Sequence, residues 1–492
     1  MPSLEQNWDV IIIGSGLGGL SAGATLSKRG KKVLVLEKHV FAGGYAHHFP
    51  RRVKGTRIIY DFDVALHQTG DLKPGRFMSG ALEQLGVLRK IQLNQFDIAY
   101  RSVGPDHDFE VPAEADDYER KLTDAYPHES RGIKDMFAFF HRIDQGKATQ
   151  AEIRQCGEVT AEAFCRGFVS DERVIAIICT LWGYVGVTPN RMAASNIIGI
   201  FNHYHHGGCF YVKGGGQALS DAFISVIEEC GGKVRRRNEV KSILTNSNGA
   251  AIGVETAKGK IYYAPIVISN AASQNTFNKL LDKPELAESD AEVSDSLPIS
   301  TSISQAYVGI RGDASILGLP DRGRFVEPTY DYESEWTAIR EGNPAGHQVI
   351  INNHNLADPG HHPKGRSILH STILSNGALW MNLDKKDYKA RKRELESHLI
   401  DQLERAIPDV RERIEVCETG TPHTMARYTQ NPEGSVYGYS SELNSHASLP
   451  PDPDTTVPGL YLASVWSRSG HGFAGAMGSG LTAAGLVLRE GQ

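Results

Sequence analysis

The chain lacks two features that would place it on nucleic acid or across a membrane. Among its 492 residues, 52 Lys and Arg stand against 58 Asp and Glu, so a net charge of -6 leaves no basic surplus for a nucleic-acid surface. No stretch approaches the ~18 consecutive apolar residues that a transmembrane helix needs, and no signal peptide is recognised. These absences predict a cytoplasmic protein with no nucleic-acid partner, and they leave peripheral membrane contact open.

Cysteines are few, and their spacing excludes several kinds of site. The six cysteines include no Cys-x-x-Cys pair, so we expect reduced thiols and predict no metal centre from them. The sequence also contains no Walker loop, catalytic triad or zinc motif. Its length is sufficient for two or three domains with a large buried core.

A glycine-rich turn follows the first apolar run of the chain. Residues 10–13 are Val-Ile-Ile-Ile, which predicts a buried strand, and the next six residues are Gly14, Ser15, Gly16, Leu17, Gly18 and Gly19. Gly14 permits a tight turn, Gly16 lets the backbone approach a pyrophosphate, and Gly19 lets a helix pack on the strand. The N-terminus of that helix would offer free N–H groups and a positive dipole end to the phosphates.

An acidic residue after the second apolar run completes a dinucleotide-binding unit. Glu37 comes eighteen residues after Gly19, where a carboxylate can accept hydrogen bonds from a ribose 2'-hydroxyl. Its charge disfavours the 2'-phosphate of NADP, which leaves FAD or NAD. Gly43 and Gly44 then form a second glycine pair, through which more backbone can approach a cofactor. This extension resembles the FAD-binding half of the amine oxidase and carotenoid desaturase flavoproteins, and the resemblance favours FAD over NAD.

Five blocks of the sequence carry a family resemblance. They are the N-terminal unit through Gly44, residues 60–67, residues 211–216 with the following helix, residues 421–438, and residues 459–488. Together they resemble the flavoproteins that include phytoene desaturases, carotenoid isomerases and retinol saturases. The resemblance implies FAD as the cofactor and a lobe that covers a long apolar tunnel, so we expect a hydrophobic small-molecule substrate.

The expected architecture is α/β. A Rossmann-type FAD-binding domain, similar to those of glutathione reductase and the amine oxidases, is assembled from discontinuous segments and joined to a second, α+β substrate domain. We assign residues 1–75, 207–285 and 415–492 to the FAD-binding domain, and residues 76–206 and 286–414 to the substrate domain. The last helix of the chain is predicted at about 476–488.

The resemblance also implies which residues meet the cofactor. The glycine turn would contact the diphosphate, Glu37 the adenosine ribose, and the backbone of Val240 the adenine. The loop at 469–477 would lead a helix N-terminus towards the flavin, whose developing negative charge a helix dipole stabilises. The candidate cofactor-binding residues are Gly14, Ser15, Gly16, Leu17, Gly18, Gly19, Glu37, Lys38, Gly43, Gly44, Tyr45, Val240, Gly475, Ala476 and Met477.

His67 is the candidate catalytic residue, because a histidine beside the flavin can move a proton near neutral pH. The alternative is a core histidine bonded to backbone. Ala65 stands where retinol saturases usually have glycine, and this puts the local backbone in question because alanine avoids positive φ. The run 203–206, His-Tyr-His-His, lacks the ligand spacing of a metal site and is expected to line the cavity.

The predicted activity is that of an FAD-dependent oxidoreductase acting on a C–C or C=C bond of an apolar polyene or isoprenoid, similar to a carotenoid or retinoid. Flavin N5 exchanges a hydride with one carbon while a side chain moves the neighbouring proton, as in a desaturase or a saturase. Three alternatives stay open: a cis–trans isomerase that uses reduced flavin, an amine oxidase with an aromatic cage near Trp466 and Phe473, and a flavin-binding scaffold without turnover.

Overall fold

The computed structural model of the protein describes residues 8–443, 449–468 and 471–490. The strands, in chain order, are β1 (Val10–Ile13), β2 (Val33–Leu36), β3 (His48–Arg52), β4 (Ile59–Asp63), β5 (Leu93–Gln95), β6 (Ile98–Val103), β7 (Asp108–Pro112), β8 (Phe210–Val212), β9 (Lys233–Arg235), β10 (Val240–Thr245), β11 (Ala251–Thr256), β12 (Ile261–Tyr263), β13 (Ile266–Ser269), β14 (Ser302–Arg311), β15 (Gly323–Val326), β16 (Val349–Asn353), β17 (Arg366–Ser375), β18 (Ile414–Gly420) and β19 (Leu460–Leu462).

The helices, in chain order, are α1 (Leu17–Lys28), α2 (Phe77–Leu85), α3 (Ala115–Ala125), α4 (Ser130–Asp144), α5 (Gln150–Glu158), α6 (Ala161–Arg166), α7 (Glu172–Cys179), α8 (Ala194–Phe201), α9 (Gly215–Glu229), α10 (Ser273–Asn275), α11 (Glu288–Ser296), α12 (Ala314–Leu317), α13 (Tyr332–Glu341), α14 (His354–Ala357), α15 (Ala378–Met381), α16 (Lys385–Ala406), α17 (Val410–Arg413), α18 (Pro422–Thr429) and α19 (Gly472–Glu490). Short 3-10 turns lie at Leu88–Lys90, Pro127–Glu129, Thr180–Tyr184, Pro284–Ala287 and Pro432–Gly434, and π turns at Asn202–His206 and Thr276–Leu280.

A parallel sheet in the order β19–β13–β1–β2–β9 forms the centre of the first domain. Every residue of β1 and β2 is buried, as expected for strands covered on both faces. Side chains alternate: Val10 and Ile12 pack with α1, α9 and α19, whereas Ile11 and Ile13 pack with the β10–β11–β12 meander. The β1–α1–β2 unit confirms the Rossmann-type fold predicted from the apolar runs and the glycines.

Helices α1 and α19 approach each other so closely at Gly480 that a side chain at this position would not fit. A Cβ atom on Gly480 would collide with the carbonyl oxygen of Gly18 and the hydroxyl of Ser21. The hydroxyl of Ser21 in turn donates to the carbonyl of Met477 over 2.9 Å. Because α19 comes from the end of the chain, this contact closes the domain from widely separated segments.

The second domain is built on a mixed sheet in the order β18–β14–β17–β16–β15–β6–β7. Its neighbours pair antiparallel except for β15 and β6, which are parallel. Helix α16 covers one face, and the helices between residues 115 and 201 pack against residues of the other. The parallel β15–β6 pairing joins the segments 76–206 and 286–414.

The domain boundary that we placed at residue 415 needs correction. Strand β18 runs from 414 to 420 and pairs with β14 along this second sheet, from Ile310 opposite Ile414 to Gln305 opposite Gly420. A domain boundary falls where few contacts cross, and a continuous backbone ladder is the opposite of that. The last segment of the FAD-binding domain therefore begins beyond Gly420.

No helix in the described ranges is both long and apolar enough to cross a membrane.

The β3–β4 hairpin attaches the N-terminal segment to the second sheet. The ring of Tyr60, which is fully buried, lies over Gly309 in the middle of β14. Its hydroxyl lies 3.0 Å from the carbonyl oxygen of Ile310 and 2.6 Å from a carboxylate oxygen of Glu415. A glycine on β14 is therefore required for the ring to sit flat against the strand.

Replacing Gly309 with alanine should lower the stability of the protein. The new Cβ would lie 2.7 Å from ring carbons of Tyr60, and overpacking of this kind typically costs about 1–3 kcal/mol. Urea unfolding followed by tryptophan fluorescence measures the change. The matched control is Gly323→Ala in β15, where the nearest atom to the new Cβ is Asn352 Oδ1 at 3.4 Å. Equal stability of the two variants would contradict the packing described for Tyr60.

Candidate functional site

A cavity of about 630 Å³ extends from the carboxyl end of β1 into the second domain. The crevice at the carboxyl ends of parallel strands is the usual ligand site of such sheets. At one end the cavity is lined by the glycine turn and by residues after β2. At the other end it is lined by Tyr184, Ile350 and Leu374 of the second domain. The cavity therefore connects a dinucleotide-type site with a separate compartment.

The glycine turn leaves the N-terminus of α1 free to bind an anion. Gly14 has φ of 88°, and its N–H donates to the carbonyl of Leu36 over 2.8 Å. Gly16 caps α1 with no side-chain hydrogen bond, and no side chain of the described residues occupies the terminal N–H groups. A Cβ on Gly16 would lie 2.5 Å from the side-chain oxygen of Asn270. A larger residue would thus disturb the turn itself as well as any bound diphosphate.

The carboxylate of Glu37 holds this turn in place. The residue is 8% exposed, and its Oε2 accepts hydrogen bonds from the N–H and the hydroxyl of Ser15 over 2.9 and 2.6 Å. Its Oε1 accepts from the N–H of His39 over 2.7 Å. The Ser15 hydroxyl also accepts from the N–H of Gly43 over 3.2 Å. Ser15 therefore links both glycine segments to Glu37, a role that the sequence motif does not reveal.

These residues fit a bound FAD. The cavity is lined by the N-terminus of α1, by the carboxylate of Glu37, which we expect at the ribose, and by the backbone of Val240, which we expect at the adenine. Of the candidate cofactor-binding residues, the structure places the following on the cavity wall: Gly14, Ser15, Gly16, Leu17, Gly18, Glu37, Lys38, Gly43, Gly44, Tyr45, Val240 and Ala476. Their direct contact with the cofactor stays a prediction.

The other candidates lie behind the wall. Gly19 packs against Ile12, where its added Cβ would lie 3.2 Å from the Ile12 side chain. The side chain of Met477 is 2% exposed and belongs to the core, and the N–H of Gly475 bonds to His471 within the helix. The reason is that α19 begins at Gly472 rather than near 476. Its first turn therefore lines the cavity, whereas residues 469–470 of the expected loop lie outside the described residues.

The far compartment is apolar and aromatic. Its wall consists mainly of tyrosine, aliphatic and small polar side chains, and it includes the imidazoles of His67, His203 and His471, the last of which packs beside Tyr437. The main lining residues are Tyr184, Val185, Ile200, Tyr204, Ile303, Gln305, Ile350, Thr372, Ile373, Leu374, Val436 and Tyr437. In the described lining the carboxylates are Glu37 and Glu239, and both lie near the dinucleotide end. The compartment is suited to a neutral apolar molecule.

His67 lines this compartment and is held there by its neighbour Asp63. The Oδ1 atom of Asp63 accepts from the N–H groups of Ala65 and Leu66 over 3.0 and 2.7 Å, while its Oδ2 accepts from Gly216. Ala65 is absent from the residues with positive φ in the described chain, so the missing glycine does not strain this turn. Burial raises the pKa of Asp63 to about 6 in spite of these donors.

The imidazole of His67 is neutral at physiological pH. Burial, together with the positive charge of Arg322, lowers the pKa of His67 to about 4. The Nδ1 atom lies 3.4 Å from the hydroxyl of Tyr184, another cavity residue. The Nε2 atom is buried and has no hydrogen-bond partner among the described residues. Such a ring can accept a proton from a molecule in the compartment, so the predicted catalytic role is chemically feasible.

The histidine run at 203–206 is divided between the cavity and the core. His203 and Tyr204 line the cavity, as expected, and the Nε2 atom of His203 accepts from the N–H of Gly70 over 3.1 Å. His205 is 2% exposed and packs against Phe201, while His206 bonds to His141 over 2.8 Å. The π turn at Asn202–His206 produces this division, because it changes the direction in which successive side chains point.

Trp466 and Phe473, the aromatic residues proposed for an amine oxidase cage, both line the cavity, but their rings do not pack on each other. Trp466 is 1% exposed and packs edge-to-face on Tyr439, with ring centroids 5.1 Å apart. Phe473 lines the cavity from α19. Trp182 lies in the core, with its Nε1 donating to Glu327 over 3.3 Å. The aromatic wall of the far compartment comes instead from Tyr184, Tyr204 and Tyr437.

Together, the discontinuous Rossmann-type domain, the free helix terminus and the adjoining apolar compartment define a flavin-dependent oxidoreductase with a separate substrate domain. The chain belongs to the flavin-containing amine oxidoreductase family, whose model matches residues 17–488. Its cofactor is FAD, and the enzyme is an FAD-dependent oxidoreductase, as the sequence analysis predicted.

Two relatives and one solved structure show which members of this family the chain resembles. The chain is 27% identical to all-trans-retinol 13,14-reductase of Danio rerio, over 99% of the chain and 87% of the relative. It is also 27% identical to the chloroplastic prolycopene isomerase of Arabidopsis thaliana, over 99% of the chain and 83% of the relative. An oxidoreductase from Methanosarcina mazei has a similar fold, with a TM-score of 0.65 at 19% identity over 96% of this chain and 99% of the other.

Replacing Gly16 with valine should abolish FAD binding, because the side chain would occupy the space that the diphosphate and Asn270 require. The flavin absorbance of purified protein, relative to its absorbance at 280 nm, measures the loss. The control is Gly80→Val in α2, where an added Cβ would meet no atom within 4 Å. A Gly16→Val protein with a full complement of FAD would contradict the assignment of the turn.

Replacing Glu37 with alanine should weaken FAD binding by more than the free energy that one hydrogen bond to the ribose contributes. Hydrogen bonds to a charged group contribute roughly 1.5–3 kcal/mol each, and Glu37 also accepts bonds from Ser15 and His39. Glu37→Gln, which keeps the shape and one acceptor oxygen, should lie between the alanine variant and the wild type. Titration of apoprotein with FAD measures the affinity, and an unchanged affinity in Glu37→Ala would contradict this role.

Proposed function

We propose that this enzyme oxidises or reduces a carbon–carbon bond of an apolar polyene or isoprenoid, similar to a carotenoid or retinoid. The observation that supports the proposal is the composition of the wall of the far compartment. Among the described residues, this wall contains aliphatic and tyrosine side chains and no carboxylate. Apolar surface removed from water contributes roughly 25 cal/mol per Å², so such a wall favours a long hydrophobic substrate. The names of the curated relatives, a retinol reductase and a prolycopene isomerase, support the same class.

An amine is less well supported as the substrate. An alkylammonium ion loses its hydration on entering an apolar cavity and needs an anionic or hydrogen-bonding partner there. Glu37 and Glu239, the carboxylates of the described lining, lie at the dinucleotide end. The family takes its name from amine oxidation, but this compartment has the composition suited to a neutral hydrocarbon.

The residues that would hold FAD are those of the glycine turn, Glu37, the second glycine pair and the backbone at Val240. FAD, when bound, supplies the exchange of a hydride with a substrate carbon. The protein's contribution is to exclude water, to position the polyene between the tyrosines and to move the proton. We assign the proton transfer to His67, whose neutral ring is suited to accepting a proton, as a desaturation requires.

The isomerase alternative uses the same compartment. Isomerisation changes the geometry of a polyene without net oxidation, for which reduced FAD would supply a reversible hydride exchange, and the cavity wall suits that substrate equally well. Peripheral contact with a membrane, from which such a substrate would enter, and a cytoplasmic location are also proposals.

His67→Ala should lower turnover of a polyene by at least about 100-fold while FAD stays bound, since positioned proton transfer typically contributes 100-fold or more. Turnover is followed by chromatography of the substrate, and flavin content by absorbance. Tyr184→Phe tests the neighbouring hydroxyl and should have a smaller effect, because that group lies 3.4 Å from His67 Nδ1. Wild-type turnover in a flavin-replete His67→Ala protein would remove His67 from the mechanism.

Anaerobic mixing should show which reaction the enzyme catalyses. A desaturation substrate would bleach oxidised flavin, a saturation substrate would reoxidise reduced flavin, and an isomerisation substrate would change with no lasting change in the flavin spectrum. All-trans-retinol, prolycopene and phytoene represent the expected class, and putrescine serves as the amine control. Reaction with putrescine and with none of the polyenes would overturn the proposal, and no reaction with any compound would favour a binding protein without turnover.

A further inference from the structure

Two buried histidines lie directly behind His67. His370, in the middle of β17, is fully buried, and His354, at the start of α14, is 8% exposed. The Nε2 atom of His354 lies 2.9 Å from the Nδ1 atom of His370, within hydrogen-bond distance. The ring of His67 lies 6.4 Å from that of His354 and 6.2 Å from that of His370, measured between centroids. The three rings form one cluster, of which His67 faces the substrate compartment.

The opposite end of the cluster opens on a second, much smaller cavity. This cavity of about 10 Å³, roughly the space of one water molecule, is lined by His354, Asp358, His361 and other residues. The side chain of His361 is 27% exposed. A line of polar groups therefore runs from the protein surface through His354 and His370 to His67, next to other buried polar side chains that include Gln305, Thr372 and Asn355.

None of the three rings is suited to storing a proton. Burial lowers the pKa of His67 to about 4 and that of His354 to about 3, and it holds the pKa of His370 well below the ordinary value. Arg322 adds a positive charge close to His67 and His354. A proton that reaches His67 must consequently leave again, and a neutral imidazole can accept a proton on one nitrogen while it releases another from the second.

The hydrogen bonds of the cluster agree with a path for protons. Gln305 Nε2 donates to His370 Nδ1 over 3.2 Å, the atom that His354 also approaches, so Nδ1 of His370 is the acceptor and its Nε2 carries the hydrogen. That Nε2 atom and the Nε2 atom of His67 are both buried, and neither has a partner within the described chain. The two rings lie 6.2 Å apart between centroids, so transfer between them requires a rotation of one ring or a bridging water molecule.

We propose that His370 and His354 relay protons between His67 and the surface crevice at His361. The proposal rests on the proposed role of His67 as the group that exchanges a proton with substrate. In the desaturation direction, one carbon loses a hydride to FAD and its neighbour loses a proton to His67, and the electron pair of that C–H bond becomes the second bond of C=C. In the saturation direction, the tautomer set by Gln305 carries protons inward: His354 donates to Nδ1 of His370, Nε2–H of His370 donates to His67, and His67 gives its other proton to the substrate carbon. Water replaces the proton of His354, and all three rings stay neutral but end in the opposite tautomers. Desaturation starts from those opposite tautomers and runs the same transfers outward to water.

The first test measures turnover of a polyene by FAD-loaded His354→Leu and His370→Leu. Each variant should lower kcat by about tenfold or more with little change in KM, a part of the ~100-fold that proton transfer provides. The solvent deuterium isotope effect on kcat should rise, because proton transfer becomes the slow step. The matched control is His347→Leu, which removes a histidine that is 2% exposed and has no contact with the cluster among the described residues. An unchanged kcat and isotope effect in both relay variants would overturn the proposal.

The second test needs no substrate. Nitrogen-15 NMR of histidine-labelled, FAD-loaded protein measures how fast the ring N–H of His370 exchanges with D₂O. Loss of the relay in His354→Leu should slow this exchange by about tenfold or more, because the route to the crevice is blocked. Loss of packing would open the structure and accelerate exchange instead. Accelerated or unchanged exchange would therefore overturn the relay.

The two tests separate the relay from the proposed function. If wild-type protein reacts with no polyene and yet exchange at His370 slows in His354→Leu, the relay is supported and the proposed substrate class is wrong. If polyenes react normally in the wild type and neither kcat nor exchange responds to the variants, the substrate class stands and the relay is wrong.

Discussion

The buried carboxylate of Glu37 is the constraint on which the cofactor site depends. By accepting two hydrogen bonds from Ser15, it ties the turn after β1 to the end of β2 and sets the position of the N-terminus of α1. The same serine hydroxyl accepts from Gly43, which brings the second glycine segment to the cavity wall. A charge placed here is stabilised by N–H donors, and its position in turn determines where a diphosphate and a ribose can bind.

The carboxylate of Asp63 likewise holds separate backbone segments together, at the place where the two domains meet. Asp63 bonds to backbone N–H groups of its own turn and to that of Gly216 at the start of α9. These hydrogen bonds join three segments: the β3–β4 hairpin, the following segment that carries His67, and the second piece of the FAD-binding domain. Because the hairpin also packs on β14 through Tyr60, the position of His67 depends on both domains.

Desolvation then sets the chemistry of the substrate compartment. With apolar and tyrosine side chains on its wall, the compartment favours neutral groups, and the pKa of His67 is lowered accordingly. A neutral base and an uncharged wall are mutually consistent, since both suit a hydrocarbon substrate whose reaction transfers a hydride and a proton. Behind this wall lie the buried histidines His354 and His370, through which we propose that the proton leaves.

The sequence by itself determined the Rossmann unit, the cofactor and most of the cavity wall at the dinucleotide end. Those features are local: two apolar runs, glycines at fixed intervals and one carboxylate act within the first 45 residues, and their geometry follows from backbone sterics and hydrogen bonding. The helix expected after residues 211–216, which the structure places at Gly215–Glu229, is likewise a local feature of the chain.

Tertiary structure alone decided the rest. Strand β18 joined the second sheet because its backbone pairs with β14, more than a hundred residues earlier in the chain, and no local pattern reports that pairing. The start of α19 at Gly472, which moved Gly475 and Met477 behind the cavity wall, likewise depends on the close packing of α19 against α1. His354 and His370 belong to no motif, and they become neighbours of His67 only because α14, β17 and the segment after β4 converge in space. Long-range packing brings such groups together. The local sequence could therefore predict the cofactor, but it could not predict which residues surround His67.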